Sequence, residues 1–233
     1  YSNVDGATTA VSSIMAQPVI PCALEFIDKA SIDMIRDFSE AELPDEAGAL
    51  LMIEVDGPES GIDAAVDAVS RAAQNEGLVQ LKAASTEAEV AALWATRKAL
   101  SPALRKIAPN KLNEDIVVPV SRIPDLITGL EGLSQEFGIP IVNFGHAGNG
   151  NIHVNLLVNQ DNIDEMARAE KCLNEVFDLV IRLNGTLSGE HGIGREKRAY
   201  VDKEIDATTL ALMKDIKQVF DPNNILNPGK LFL

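Results

Sequence analysis

Short apolar runs alternate along this chain with longer segments in which apolar residues recur every three or four positions. The short runs are typical of buried or half-buried strands. Strands are therefore predicted at residues 22–27, 49–55, 78–83, 114–120, 139–144 and 152–158. The longer segments have the spacing of amphipathic helices. Helices are predicted at residues 9–17, 31–38, 62–73, 86–101, 121–137, 163–183, 195–201 and 208–220.

The order of these elements favours an α+β fold. Only a short glycine-rich turn separates the strands at 139–144 and 152–158, so these two form a direct hairpin. We expect a mostly antiparallel sheet with helices packed on one face. Each half of the chain resembles a split βαβ unit, which predicts ferredoxin-like halves. The halves show no sequence repeat and no low-complexity linker, so residues 1–233 are interpreted as one domain.

Composition and charge narrow the classes of function. With 46% hydrophobic residues among 233, the chain can bury a sizeable core. A net charge of −15 disfavours binding to nucleic acid or to an anionic membrane surface. No apolar run approaches the ~20 residues of a membrane span. Cys22 and Cys172 are far apart and are interpreted as reduced thiols of a cytosolic protein.

Two of the three histidines lie at the predicted hairpin. Alternation along the second strand places Ile152 on one face, and His153 and Asn155 on the other. A turn of about four residues would bring His146 opposite His153, where cross-strand Cβ atoms lie ~4.5–5.5 Å apart. Paired imidazoles at this separation suit Zn²⁺ or another divalent transition metal. The alternative is a pair of hydrogen-bonded histidines that brace the turn.

A carboxylate would complete such a metal site. Glu190 is the candidate, because it precedes the third histidine, His191, in a second glycine-rich segment. Two histidines and one carboxylate leave positions open for water or substrate, which is the pattern of catalytic metal sites. The glycines have the wrong order for a dinucleotide fingerprint, and the chain contains no nucleophile elbow. Arg97 offers a bidentate fork for a carboxylate, or is a solvated surface charge.

Three motifs together resemble a known family, and the resemblance covers essentially the whole chain. The family is the C-terminal domain of FAD-linked 2-hydroxy-acid oxidases and dehydrogenases, and the similarity is greatest to the glycolate oxidase FAD-linked subunit. The motifs that carry it are Gly145-His-Ala-Gly-Asn-Gly-Asn-Ile-His-Val-Asn155, Ser188-Gly-Glu-His-Gly-Ile-Gly194 and Phe220-Asp-Pro-Asn-Asn-Ile-Leu-Asn-Pro-Gly-Lys230.

The resemblance implies a ferredoxin-like cap over an FAD that a separate N-terminal FAD-binding domain holds. No part of that domain is recognised in this chain. The whole protein is expected to oxidise a 2-hydroxy acid of the glycolate or D-lactate type to the 2-oxo acid. The fragment alone is expected to be inactive. Expected partners are the substrate, the FAD-binding domain of the same protein and other oxidase subunits. The expected location is cytoplasmic or peripheral to a membrane through those subunits.

The resemblance also implies roles for individual residues. His146, His153 and Glu190 would hold a divalent Zn, Mn or Fe ion, and His191 would be the catalytic base that takes the hydroxyl proton. The expected substrate-binding residues are Arg97, Ser101, Lys111 and Asn155. The expected cofactor-binding residues are Asn227 and Lys230.

Three other interpretations stay open at this point. The chain can be a non-catalytic subunit or interaction module that retains the fold. It can serve a dehydrogenase of the D-2-hydroxyglutarate type, since the substrate depends on the size of the pocket. It can also be a self-contained metal hydrolase, although no second acid–base pair is evident in the sequence.

Overall fold

The computed structural model describes residues 1–36, 43–230 and 232, with side chains for all of these except residues 101, 105 and 106. Seven α-helices and five strands lie within this part of the chain. In chain order they are α1 (Val4–Ala16), β1 (Ala23–Asp28), α2 (Lys29–Ile35), β2 (Ala49–Glu54), α3 (Glu59–Ala72), α4 (Glu87–Ile107), β3 (Asn110–Val117), α5 (Ile123–Phe137), β4 (Ile141–His146), β5 (Asn151–Val158), α6 (Ile163–Arg182) and α7 (Ala207–Phe220).

The five strands form one sheet in the order β2-β1-β4-β5-β3, and every neighbouring pair is antiparallel. The predicted α+β fold with an antiparallel sheet is therefore confirmed. The direct hairpin is also confirmed, as the pair β4–β5. The strand predicted at residues 78–83 is wrong, because that segment has no strand pairing. Its apolar side chains instead line a cleft beside β2 and α4, where Leu78 and Val79 are half-buried and Leu81 is exposed.

The main core lies on one face of the sheet, where α1, α5 and α6 pack as predicted. Alternate residues of β5 are fully buried there, and so are side chains from the three helices. A smaller core on the opposite face joins α2 and α4 to Val142, Phe144 and Leu157. That smaller core covers only part of the face. The remaining strand positions there carry polar side chains, including His146, His153 and Asn155.

Three helix predictions differ clearly from the structure. α1 begins at Val4, five residues before the predicted start, because the side chain of Asn3 caps it by accepting the N–H of Gly6. α4 continues through Pro102 to Ile107, although the sequence predicts an end near residue 101. The buried side chains of Leu100, Ala103 and Leu104 explain this, since their packing offsets the hydrogen bond that proline cannot donate. The helix predicted at residues 195–201 is a series of turns followed by a short 3-10 helix, Val201–Lys203. Phe38, the last residue of the helix predicted at residues 31–38, lies outside the described residues.

The tight end of the β4–β5 hairpin depends on a glycine. A 3-10 turn at Ala147–Asn149 leads into Gly150, whose φ is +78°. A Cβ atom at Gly150 would lie 1.9 Å from the carbonyl oxygen of Val118. Both the left-handed backbone and the close approach therefore require glycine at this position. None of the described helices has the length and apolar character that crossing a membrane requires.

We expect Gly150→Ala to lower the free energy of unfolding by about 2–4 kcal/mol, from left-handed strain and overpacking. Urea denaturation measures this loss. Gly132→Ala is the control, because Gly132 lies in α5 with open space around its Cβ position. That substitution should raise the free energy of unfolding by about 0.5–1 kcal/mol. Equal stability of Gly150→Ala and the parent chain would contradict this account of the turn.

Candidate metal and substrate site

The two hairpin histidines meet on the polar face of the sheet. His153 pairs with Phe144, and His146 pairs with Asn151, so the histidines are diagonal neighbours. The expectation that they lie directly opposite is wrong by two residues, because β4 runs on to His146 before the turn begins. Their ring centroids are nevertheless 5.5 Å apart, with one ring edge-on to the other. Diagonal cross-strand neighbours are still within reach of long side chains.

Glu190 completes the cluster. Its Oε1 lies 3.4 Å from Nε2 of His153 and 4.0 Å from Nε2 of His146. One donor atom from each of the three residues lies within 4.8 Å of the other two, and no other such set occurs in the described part of the chain. Metal–ligand bonds of about 2.0–2.2 Å place two ligands of one ion roughly 3–4 Å apart. The two separations between Glu190 and the histidines match this spacing, so the cluster is a candidate site for a divalent transition metal.

A buried carboxylate beneath the cluster orients His146. Oε1 of Glu25 is hydrogen-bonded to Nδ1 of His146, and its Oε2 accepts from Nε of Arg97 at 2.8 Å. A proton on Nδ1 leaves the lone pair of Nε2 directed towards Glu190. This carboxylate–histidine arrangement is the one that commonly supports metal ligands. Sequence reasoning missed Glu25, although an acid between Leu24 and Phe26 in a buried strand is an available signal.

The pKa of His153 also suits a ligand. Burial lowers this pKa below its ordinary value, and the positive charge of the nearby Arg97 lowers it further, against the opposing effect of Glu190. The neutral imidazole is therefore favoured. Metal binding needs this form, because the ligand nitrogen must carry a free lone pair.

Glu190 and His191 lie on a segment that a second buried carboxylate holds. Oδ2 of Asp115 accepts the backbone N–H groups of Glu190 and His191, and Lys197 pairs with Oδ1. Burial alone would raise the pKa of Asp115, but the Lys197 ammonium and these N–H donors outweigh it and lower the pKa to about 2. The ring of His191 stacks on that of His153 at 5.5 Å. Sequence reasoning missed Asp115 as well.

The structure brings three of the expected substrate-binding residues to this face. Arg97 lies 4.8 Å above the ring of Phe144 while it pairs with Glu25. Asn155 is fully buried, and its oxygen accepts from Lys111 at 3.0 Å and from Asn113 at 2.7 Å. Its amide nitrogen donates to two backbone carbonyls. Asn155 thereby orients Lys111 and Asn113, and its expected contact with substrate stays a prediction.

The other expected residues lie elsewhere or outside the description. Ser101 falls within α4, but its side chain is not among those described. Asn227 and Lys230 are exposed on the tail after α7, where Asp221 accepts the N–H groups of Ile225 and Leu226. No contact among the described residues links Asn227 or Lys230 to the histidine cluster. Their expected role at a cofactor stays a prediction.

Comparison with known proteins identifies the family. Residues 1–231 match the model of the family described as FAD linked oxidases, C-terminal domain. The chain belongs to this family. The resemblance expected from the three motifs is thereby confirmed, and so is membership of a group of FAD-linked oxidoreductases.

Curated relatives of this FAD-linked oxidase domain are about twice its length. Glycolate oxidase subunit GlcD of Bacillus subtilis is 37% identical to it over the whole chain, which covers 49% of that protein. GlcD of Escherichia coli K12 is 35% identical over 99% of the chain, which covers 46% of it. A D-lactate dehydrogenase of Archaeoglobus fulgidus is 33% identical over 99% of the chain. The chain thus spans about half the length of these relatives.

A solved structure confirms the fold of the FAD-linked oxidase domain. p-Cresol methylhydroxylase with substrate bound matches 98% of this chain with a TM-score of 0.71, and the match covers 51% of that protein. The sequence identity is 14%, so the likeness concerns the fold alone.

We expect Glu25→Gln to lower the free energy of unfolding by about 2–4 kcal/mol, because the largely buried Arg97 loses its anionic partner. Asp33→Asn is the matched control, since it removes the exposed ion pair with Lys29. That change should cost at most about 0.5 kcal/mol. Chemical denaturation at neutral pH measures both. Similar losses for the two variants would show that the buried Glu25–Arg97 pair contributes no more to stability than an exposed ion pair.

Proposed function

We propose that this domain binds the substrate and a divalent metal ion for an FAD-dependent oxidoreductase that oxidises a 2-hydroxy acid to the 2-oxo acid. The substrate is of the glycolate or D-lactate type. The observation that carries the proposal is the convergence of His146, His153 and Glu190 beside Arg97 on one face of the sheet. Membership of the FAD-linked oxidase family and similarity to glycolate oxidase subunits and D-lactate dehydrogenases support it.

The three donors would hold a Zn, Mn or Fe ion. A bound ion would act as a Lewis acid on the substrate's 2-hydroxyl and lower its pKa, and FAD would supply the acceptor for the hydride of C2. His146 and His153 lie on adjacent strands of one hairpin, so their separation is fixed before any ion arrives. Glu190 provides the negative charge. The coordination positions of the ion that remain open are available to the hydroxyl and carboxylate oxygens of the substrate.

Arg97 and Lys111 provide the positive charge that an anionic substrate requires. Because Nε of Arg97 donates to Glu25, its orientation is set, and its terminal nitrogens are proposed to grip the substrate carboxylate in a bidentate manner. Lys111 is oriented by Asn155 on the same face of the sheet. A fixed carboxylate in turn fixes the direction of the C2–H bond, which is the positioning that transfer to a flavin demands.

His191 is the proposed base for the hydroxyl proton. Its Nε2 lies 3.7 Å from Oε1 of Glu190, next to the place where a coordinated hydroxyl would be bound. Its Nδ1 lies 3.5 Å from Oδ1 of Asp115. A histidine between a carboxylate and the reacting group can accept a proton and keep its orientation.

The site opens to the outside of this domain. The side chains of His146, Glu190 and His191 are 41%, 49% and 46% exposed. FAD is proposed to approach from this open side, held mainly by an FAD-binding domain of the same protein, with Asn227 and Lys230 in contact with it. α7 supports such a partner, because it buries no residue and exposes Leu212, Ile216, Val219 and Phe220. Other oxidase subunits are proposed as further partners, at a cytoplasmic or peripheral membrane location.

Metal binding tests the first part of the proposal. After loading with Zn²⁺ or Mn²⁺ and removal of excess ion, the 233-residue chain should retain about one ion, measured by elemental analysis. His146→Ala should reduce affinity by at least tenfold, because two ligands remain. His191→Ala is the neighbouring control and should keep the ion. A parent chain that holds no metal after loading would contradict the proposed site.

Turnover tests the second part. The chain joined to an FAD-binding half should reduce an artificial electron acceptor with a 2-hydroxy acid, in assays that compare glycolate, D-lactate and D-2-hydroxyglutarate. Arg97→Lys should lower kcat/KM by on the order of 10²-fold, because the bidentate grip is lost.

The 233-residue chain alone should be inactive and should bind no stoichiometric flavin. Oxidation of glycolate by the chain alone would refute this division of roles.

A further inference from the structure

We infer that Asp115 is a positioning residue that, together with Lys197, holds Glu190 and His191 over His153. The inference rests on the proposed metal site, because it explains how the third ligand reaches the other two. It concerns two residues that lie outside the three motifs, and it assigns them no contact with substrate or cofactor.

Asp115 lies directly beside the cluster. It is in β3, where its register partner on β5 is His153, and its side chain is fully buried. One oxygen, Oδ2, accepts three successive backbone N–H groups, from Gly189 at 2.8 Å, from Glu190, and from His191 at 2.9 Å. Three converging N–H groups form a concave anion site. Here the anion is a side chain of the same domain.

Side chains rather than secondary structure hold the segment that carries Glu190. Besides Asp115 and Lys197, Glu204 accepts the N–H of Leu187 and Ser188 accepts that of Gly192. Residues 185–200 are all described, and they form neither a helix nor a strand beyond one bridge between Thr186 and Val117. His146 and His153 are fixed by ladders of hydrogen bonds on both sides. Glu190 is not part of a strand. Hydrogen bonds to the Asp115 carboxylate fix its backbone, as strand pairing fixes the backbone at the two histidines.

Lys197 closes the segment on itself. Its ammonium donates to the carbonyl oxygens of Leu187 and Asp115, each at 2.8 Å, and pairs with Oδ1 of Asp115. The side chain is only 4% exposed, so its charge depends on these partners. A second carboxylate, that of Glu114, lies 3.4 Å away. The start and the end of the segment are therefore tied to the same point of β3.

The geometry predicts that loss of the Asp115 carboxylate affects the position of Glu190 more than the packing of the core. Loss of the Oδ2 acceptor frees the N–H groups at 189–191, which lets the Glu190 carboxylate move from its 3.4 Å position beside His153. The core face of the sheet does not depend on these bonds. Loss of a residue that supports a metal ligand typically costs 10- to 100-fold in metal affinity.

Co²⁺ binding to the 233-residue chain tests the assignment, because the visible absorption of this ion reports the number and geometry of its ligands. Asp115→Asn should bind Co²⁺ about 10- to 100-fold more weakly than the parent chain. Its spectrum should match that of Glu190→Gln, in which the ligand itself is altered. Amide hydrogen exchange at residues 189–191 should change from protected to fast. Asp115→Asn/Lys197→Met gives the same readouts without an unpaired buried ammonium.

Asp28→Asn is the matched control. Asp28 is also buried and accepts N–H groups, from Ser31 and Asn143, but it lies on the other face of the sheet. It should keep the parent Co²⁺ affinity and spectrum. A folded Asp115→Asn chain with the parent spectrum and protected amides would overturn the inference. If neither Asp115 variant folds, a role specific to Glu190 and His191 is likewise overturned.

Failure of the metal proposal is distinguishable from failure of this inference. A parent chain that binds no Co²⁺ counts against the proposed metal site. Hydrogen exchange then still decides the role of Asp115, since protection of the amides at 189–191 does not need an ion. Fast exchange that appears only in the Asp115 variants supports the positioning role, and unchanged exchange rejects it.

Discussion

The pairing of β5 with both β4 and β3 is the constraint on which the site depends. Successive side chains of β5 point to opposite faces of the sheet. This alternation directs Ile152, Val154 and Leu156 into the main core, where all three are fully buried. The same alternation forces His153 and Asn155 onto the opposite face. A shift of the strand by one residue would exchange the two sets, exposing the apolar residues and burying the histidine among them. Burial of the core side chains therefore fixes where the imidazole lies.

Two buried carboxylates on the sheet position the side chains of the candidate site. Glu25 sits below His146 and pairs with Arg97, whereas Asp115 sits beside His153 and pairs with Lys197. An unpaired buried charge is costly, so each carboxylate requires its cation, and each pair fixes two side chains at once. Glu25 links a candidate metal ligand to a candidate substrate cation. Asp115 links the sheet to the segment that carries Glu190 and His191.

Local pattern accounts for the parts of the structure that the sequence predicts well. Alternation around His153 and the glycines of the turn predicted the hairpin, and the shared glycine-rich context of Glu190 and His191 predicted that the two motifs meet. The contacts of Glu25 and Asp115 could not be predicted in this way. Glu25 meets His146 across 121 residues, and Asp115 meets Glu190 across 75. Neither contact leaves a periodic signal, because each depends on strand order, which only the assembled sheet determines.

Tertiary packing also explains the elements that local rules misplace. Pro102 predicts an end to α4, but the helix persists because three neighbouring side chains fill the smaller core under it. That core occupies one part of the polar face and places Arg97 within reach of Glu25. A helix that stopped at residue 101 would lose Ala103 and Leu104 from this contact, and with them part of the surface that holds α4 against α2 and the sheet. Packing of the residues around Pro102 therefore keeps α4 intact, and the intact helix places Arg97 beside Glu25.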